Sequence, residues 1–91
     1  MALKELEEAS DWYEERAVGL GVLFVEIIYK AFDLIALTPG AYPQKKSNYR
    51  EFTVNKFPYL VVYELADKEG AIYILHIFHT SRNPKLKYRK R

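Results

Sequence analysis

Residues 49–79 of this chain read YREFTVNKFPYLVVYELADKEGAIYILHIFH, and they contain three strand-forming runs in succession. In the first run, residues 49–55, side chains of opposite character alternate, as they do in a strand with one buried face. The second and third runs, residues 59–66 and 72–79, are rich in β-branched and aromatic residues, which favour strands. Residues 67–70 between them read as a hairpin loop. The stretch therefore predicts a three-stranded antiparallel β-meander.

Two helices are predicted ahead of the meander. Residues 3–17 place apolar side chains at helical spacing opposite a face of Glu and Lys. Gly19 and Gly21 interrupt this pattern, and residues 20–37 then carry a wide apolar stripe that ends before Pro39, which cannot continue a helix. A short break between two helical patterns is typical of an antiparallel helical hairpin. We therefore expect an α+β protein in which an N-terminal helical hairpin packs on the C-terminal antiparallel β-meander.

The composition is that of one small folded domain. The chain has 91 residues, of which 49% are hydrophobic, and a chain of this size buries about 60–65% of the surface that its unfolded form exposes. It contains no cysteine, which excludes disulfides and thiolate metal sites. No apolar run reaches the roughly 18 residues that a membrane span requires. We therefore predict a single cytoplasmic domain over residues 1–91, with no membrane, metal or cofactor and with residues 80–91 as a basic tail.

The charged residues are distributed unevenly along the chain. Residues 1–33 hold three Lys or Arg against eight Asp or Glu, a net charge of −5, whereas residues 34–91 hold eleven against four, a net charge of +7. A molecule with an acidic and a basic part can direct its basic part toward nucleic acid or an acidic protein segment. An ordinary solvated surface explains the same asymmetry equally well.

The first candidate site lies at the end of the third predicted strand and contains His79, Arg82 and Tyr88. A His exchanges protons near neutral pH, an Arg grips a phosphate through two donors, and a Tyr acts as a weak acid or stacks on a base. This set supplies part of the chemistry for cleaving RNA through its own 2′-hydroxyl. In the alternative interpretation, His79 is simply packed or solvated. His76 and His79 are three apart on a strand and face opposite sides, which makes them a poor metal pair.

The second candidate site is a set of cations that could contact the target or nucleic acid, namely Lys45, Lys46, Arg50, Lys85, Lys87 and Arg89. Arg50 shares a face with Phe52 and Val54, the expected core side, so it requires a place at the sheet margin or a partner. In the alternative interpretation the lysines only keep loops solvated, and Arg50 pairs with a helix acid such as Glu14 or Glu15.

Several short strings follow one another in a characteristic order: Leu6-Glu7-Glu8-Ala9-x-Asp11-Trp12-Tyr13, Gly19-Leu20-Gly21, Pro39-x-x-Tyr42-Pro43, Phe57-Pro58-Tyr59 and His79-x-x-Arg82-x-Pro84. Their order and spacing resemble the ParE-type branch of the RelE/ParE superfamily of bacterial toxins, which includes plasmid stabilisation toxins. The resemblance covers nearly the whole chain. It implies the toxin of a type II toxin–antitoxin pair, and a cognate antitoxin whose extended and helical C-terminal segment wraps the toxin and neutralises it.

The resemblance also implies one further β-strand before the first helix. This sequence starts where the family is already entering that helix, so the first strand of the family is missing. The expectation is a truncated chain, a misassigned start or a sheet completed by another chain. A homodimer through open sheet edges or helix faces is one such arrangement.

The superfamily divides by target. ParE-like members poison DNA gyrase, whereas RelE-like members cleave mRNA on the ribosome. Arg82 and Tyr88 are six apart, as the functional Arg and Tyr of the nuclease branch are, and Arg50 sits where that branch often has a basic residue. That branch also has an Arg near Leu60, where this chain has the uncharged run Tyr59–Tyr63. We therefore predict a ParE-like toxin that binds gyrase, with a ribosome-dependent endoribonuclease and a non-toxic protein-binding domain as alternatives.

Overall fold

The computed structural model describes residues 2–46, 48–66, 68 and 70–82 of the chain. Two helices come first, α1 (Ala2–Arg16) and α2 (Leu20–Leu37), and three strands follow, β1 (Tyr49–Thr53), β2 (Tyr59–Ala66) and β3 (Ala71–His79). The strands form one antiparallel sheet in the order β1-β2-β3. The predicted α+β arrangement is confirmed. The predicted basic tail lies outside the described residues from residue 83 onward.

A turn that depends on glycine closes the helical hairpin. Glu14, near the end of α1, accepts hydrogen bonds from the backbone N–H groups of Gly19 (2.8 Å) and Gly21 (2.9 Å). Gly19 has a φ of 88°, a conformation that residues with a Cβ rarely adopt. At Gly21 the two helices approach so closely that a Cβ would lie 2.5 Å from the carbonyl oxygen of Ser10. The two glycines therefore determine how α1 and α2 cross.

A β-bulge decides which side chains of β3 face the helices. The register between β2 and β3 shifts between Val62 and Tyr63, and Leu75 is the extra residue on β3. Because of this extra residue, Ile74 and Ile77 both pack against the core although they are three apart. A regular strand would have turned one of them to the other face.

The buried core lies between the helices and the inner face of the sheet. Its members come from both helices, from β2 and β3 and from the residue that follows β1: Leu6, Ala9, Phe24, Ile28, Ala31, Ile35, Val54, Val61, Tyr63 and Ile77. Burying a large apolar side chain of this kind contributes about 1.5–3 kcal/mol. Tyr63 is fully buried, and its hydroxyl donates to the carbonyl of Pro39. This bond fastens the end of α2 to the middle strand.

Candidate functional site

Three donors converge on the carboxylate of Glu5, where α1 begins beside the end of β3. Nδ1 of His76 lies 3.0 Å from Oε2 of Glu5, and the backbone N–H of Ile77 donates to Oε1 at 2.9 Å. The guanidinium of Arg82 adds an ion pair, with its Nη1 3.7 Å from Oε2. A carboxylate only accepts hydrogen bonds, so Nδ1 of His76 carries a proton. These contacts join the first turn of α1 to β3 and to the turn that follows it.

The position of Glu5 follows from the amphipathic pattern of α1. Leu6 and Ala9 are the buried residues of this helix, and Glu5 lies at the margin of the same face. Among the strands of the described residues, β3 lies at an edge of the sheet, so some of its N–H groups face away from β2. Glu5 accepts one of them, from Ile77, and its side chain is only 16% exposed. Glu5 therefore covers part of the β3 edge.

His79 makes a separate set of contacts at the end of β3. Its Nδ1 accepts a hydrogen bond from the backbone N–H of Ser81 at 3.1 Å and lies 2.7 Å from the hydroxyl of Ser81. Because a backbone N–H can only donate, Nδ1 is the unprotonated nitrogen of His79 and the neutral ring carries its proton on Nε2. The ring packs edge-on against Tyr59, with the ring centroids 5.0 Å apart. Proton transfer by His79 would therefore have to use Nε2.

Tyr59 and Tyr13 form a hydrogen-bonded pair of weak acids next to His79. Burial, and then the charge and the hydrogen bond of Tyr13, raise the pKa of Tyr59 to about 12. Burial also raises the pKa of Tyr13, while the hydrogen bond with Tyr59 lowers it. Both hydroxyls keep their protons near neutral pH, so neither is a general base there.

Arg50 organises the loop that leads into β1. Its Nη1 donates to the carbonyl oxygens of Gly40 (3.2 Å) and Tyr42 (2.8 Å), and its Nη2 donates to Oε1 of Gln44 (3.3 Å). The expected alternative, a pair between Arg50 and an acid of α1, is wrong. The reason is that α1 packs beside β3, whereas Arg50 is on the opposite edge strand. The loop carbonyls supply the acceptors instead.

The two predicted groups of cations lie at opposite edges and opposite ends of the sheet. Arg50 pairs across the sheet with Tyr63, whereas His79 pairs with Tyr59. Neighbouring strands are about 4.8 Å apart and each residue advances about 3.3 Å, so two strand spacings and four residues separate these places by about 16 Å. The exposed Lys45 and Lys46 precede β1 and belong to the Arg50 side. Within the part of the chain that the structure describes, they do not form one continuous basic surface with Arg82.

An apolar groove of about 730 Å³ lies between α2 and the outer edge of β1. Its lining includes Leu23, Glu26, Ile27, Lys30, Ala31 and Leu34 from α2 and Glu51, Phe52, Thr53, Val54 and Lys56 from β1 and the segment after it. The first half of the β1 edge is already paired, because the N–H of Glu51 donates to the carbonyl of Pro43 and the N–H of Lys45 donates to that of Tyr49. The second half, toward Thr53, borders the groove.

A family model described as "ParE toxin of type II toxin-antitoxin system, parDE" matches residues 1–84 of the chain. The chain belongs to this ParE toxin family. Membership identifies it as a toxin of a type II toxin–antitoxin system, with an antitoxin as its partner. The family predicted from the sequence is confirmed. Comparisons with curated proteins and with solved structures gave no match.

In this ParE toxin the predicted site residues fall into three groups. His79 and Arg82 lie together at the end of β3, although each has its own contacts, and the side chain of Arg82 is 48% exposed. Lys45, Lys46 and Arg50 lie on the β1 side. The remaining predicted residues, Tyr88, Lys85, Lys87 and Arg89, lie outside the described residues. The roles of all these residues in binding or catalysis stay predictions.

Sequence reasoning missed Glu5 and His76, which the ParE toxin brings together at the β3 edge. His76 and Ile77 lie 71 and 72 positions from Glu5, and no local pattern links residues so far apart. One signal was available. His76 interrupts the apolar run from Ala71 to Phe78, and a polar side chain buried in such a run requires a partner. The sequence alone does not say which acid supplies it.

Two further features concern the described part of the ParE toxin. No helix within it is long and apolar enough to cross a membrane. Among residues 2–46, 48–66, 68 and 70–82, no group of three or more His, Cys, Asp or Glu is arranged to hold a metal ion.

Proposed function

We propose that this ParE toxin inhibits bacterial growth by binding DNA gyrase in the cytoplasm, and that its cognate antitoxin neutralises it by direct binding. The family match over residues 1–84 carries the proposal, because ParE-like members of the superfamily poison gyrase. Under this proposal the toxin acts as a binding protein and performs no chemistry of its own.

The side chains at the β3 end support binding rather than RNA cleavage. A nuclease of the RelE type stabilises the pentavalent phosphate with several cations, and the loss of one such group costs about 3 kcal/mol of transition-state stabilisation. β2 carries no cation from Tyr59 to Tyr63, and Arg82 is paired with Glu5. The raised pKa of Tyr59, about 12, keeps that hydroxyl from acting as a base. The ion pair with Glu5 offsets part of the charge that Arg82 would offer to a phosphate.

The groove between α2 and β1 supports direct binding of the antitoxin. Leu23 and Leu34 on its helical wall are 39% and 42% exposed, so a bound segment would remove apolar surface from water. The second half of the β1 edge offers backbone groups to an added strand. Glu26 and Glu51 line the groove together with Lys30 and Lys56, so its charges balance and the exposed apolar side chains carry the proposed contact.

Induced expression with and without the antitoxin gene tests the proposed function. We expect growth arrest and double-stranded DNA breaks that the antitoxin relieves, and inhibition of DNA supercoiling by purified gyrase with the purified toxin. Total mRNA should stay intact during the arrest. Rapid mRNA loss that Arg82→Ala abolishes would replace this proposal by the ribosome-dependent endoribonuclease. An absence of arrest would replace it by a non-toxic family member that only binds the antitoxin.

Leu34→Lys and Leu37→Lys form a matched pair for testing the groove. Both leucines are exposed on α2, but only Leu34 lines the groove. We expect Leu34→Lys to weaken antitoxin binding by ~10-fold or more, which corresponds to about 1.4 kcal/mol, because it places a charge in an apolar contact. Leu37→Lys should change the affinity by less than about twofold. Equal losses in a calorimetric titration would contradict the groove assignment and leave gyrase inhibition as a separate question.

A further inference from the structure

Glu5 occupies a set of donors that suits an oxyanion from outside the chain. The backbone N–H of Ile77, Nδ1 of His76 and the guanidinium of Arg82 approach its carboxylate at 2.9, 3.0 and 3.7 Å. Backbone amides, imidazoles and guanidinium groups are the donors with which proteins bind carboxylates and phosphates. All three donors belong to β3 and the turn that follows it, whereas Glu5 comes from α1. β3 and the turn after it thus supply the donors of the site, and α1 supplies the carboxylate that fills it.

We propose that His76, the N–H of Ile77 and Arg82 form a carboxylate-binding site at the edge of β3, and that Glu5 is its internal occupant. The external ligand is the carboxylate of an Asp or Glu side chain on a partner polypeptide, which binds in place of Glu5. The site goes beyond gyrase inhibition, because it is defined by these contacts whichever target the toxin has.

The shape of the site favours a carboxylate over a nucleic-acid phosphate. The side chains of His76 and Glu5 are only 8% and 16% exposed, so a ligand that reaches His76 must fit the space that the Glu5 side chain fills. Both oxygens of Glu5 are engaged by the donors: the N–H of Ile77 donates to Oε1, Arg82 pairs with Oε2, and Nδ1 of His76 lies 3.3 Å from Oε1 and 3.0 Å from Oε2. This is the two-oxygen pattern of a planar carboxylate. A phosphodiester carries two sugars and requires a more open surface.

Exchange of the occupant requires only the first turn of α1 to move. Glu5 lies in that turn, where the backbone N–H groups of a helix have no intrahelical partners and local opening is easiest. Arg82 stays positioned when Glu5 leaves, because its guanidinium also lies over the ring of Phe78, 5.4 Å from the centroid. With a side chain that is 48% exposed, Arg82 gives an incoming carboxylate its first contact from solvent.

Rescue of Glu5→Ala by acetate tests this site, with Glu7→Ala as the matched control because Glu7 is exposed on the same helix. Removing the Glu5 carboxylate takes this acceptor from His76 and Ile77, so the Tm of Glu5→Ala should fall below that of the wild type and of Glu7→Ala. Acetate binding with a Kd on the order of 10 mM predicts that about 100 mM sodium acetate raises the Tm of Glu5→Ala by about 6–11 °C. The wild type and Glu7→Ala should gain much less, because Glu5 still fills the site.

Sodium chloride at the same ionic strength separates site binding from a general salt effect. Equal stabilisation by chloride, or equal gains for Glu7→Ala, would overturn the site. Stronger rescue by inorganic phosphate than by acetate would overturn the choice of a carboxylate ligand.

In Glu5→Ala, the acetate titration should also move the amide resonance of Ile77 in a saturable way, and Arg82→Gln added to Glu5→Ala should weaken the rescue several-fold. If Glu5→Ala is unfolded without acetate, we expect acetate to refold it, and circular dichroism measures that refolding. Failure to refold counts against the site.

Discussion

Replacing Gly21 by Ala tests whether the helical hairpin depends on the close approach of its two helices. The added Cβ would lie 2.5 Å from the carbonyl oxygen of Ser10 and 2.9 Å from Oε1 of Glu14. The side chain of Glu14 can rotate away, but the Ser10 oxygen belongs to the backbone of α1. Ordinary contact begins at 3.4 Å, so the helices must separate by about 0.9 Å at this point. A shift of that size disturbs the packing along the whole crossing.

The cost follows from two opposing effects. Forcing an extra methyl group into a packed contact destabilises a protein by about 1–3 kcal/mol. The better helix propensity of Ala offsets at most about 1 kcal/mol of this. The displaced Glu14 also loses part of its hydrogen bonding to the hairpin. We therefore expect Gly21→Ala to lower the free energy of unfolding by about 2 kcal/mol, which corresponds to a Tm lower by about 8–16 °C for a domain of this size.

Urea and thermal unfolding followed by circular dichroism measure this loss, and two other glycines serve as controls. A Cβ at Gly40 meets no atom within 4 Å, and Gly40 has no positive φ, so Gly40→Ala should change the stability by less than about 0.5 kcal/mol. A Cβ at Gly19 also meets no atom, but its φ of +88° should cost about 1 kcal/mol with Ala. The expected order of destabilisation is Gly21→Ala, then Gly19→Ala, then Gly40→Ala. A Gly21→Ala variant as stable as Gly40→Ala would refute the close approach.

Three further predictions concern single side chains. The hydrogen bonds from Gly19 and then Gly21 lower the pKa of Glu14 below 4.5. The stabilisation from Glu14 is therefore present above about pH 4.5 and lost as the pH falls through its folded pKa, so urea titrations should show the wild-type advantage over Glu14→Gln shrinking as the pH falls below about 4.5. Burial raises the pKa of Tyr59 from 10.0 to about 12, so its contribution is present below pH 10 and lost as the pH rises toward about 12. Tyr59→Phe should lack this alkaline loss, and an identical alkaline profile would contradict it. Arg50→Met removes the bonds to the loop carbonyls and should lower the free energy of unfolding by about 1 kcal/mol. It should also speed hydrogen exchange at the amides of Lys45 and Glu51, which bond the loop to β1; unchanged exchange would mean that the loop does not depend on Arg50.

The order of helices and strands could be predicted because it rests on local patterns. The apolar stripe of residues 20–37 has the helical period, and Pro39 ends it within two residues of the observed end at Leu37. The alternation from Tyr49 onward marks a half-buried strand, and the polar residues 67–70 separate the last two strands. Each of these signals is contained in a short window and needs no knowledge of distant residues.

Neither the bulge at Leu75 nor the resulting geometry at the end of β3 could be predicted from the sequence. The run from Ala71 to Phe78 is apolar except for His76, so it has no alternation in which a shift of register would be visible. Only the pairing with β2 reveals the extra residue. The spacing of His76 and His79 still predicts opposite faces correctly, because the bulge lies before both of them.

The polar contacts show what some of the unevenly distributed charges do in the fold. Glu5 and Glu14, two of the acids in the acidic first third, accept hydrogen bonds from within the chain, so that third is more than a solvated face. At the β3 edge, Glu5 offsets the charge of Arg82, while at the β1 edge Lys45 and Lys46 are exposed in a loop that Arg50 holds. An acidic partner segment therefore meets accessible lysines at the β1 edge, beside the groove, but must compete with Glu5 at the β3 edge. The lysines at the β1 edge can therefore attract an acidic segment directly, whereas the donors at the β3 edge can bind it only when α1 moves.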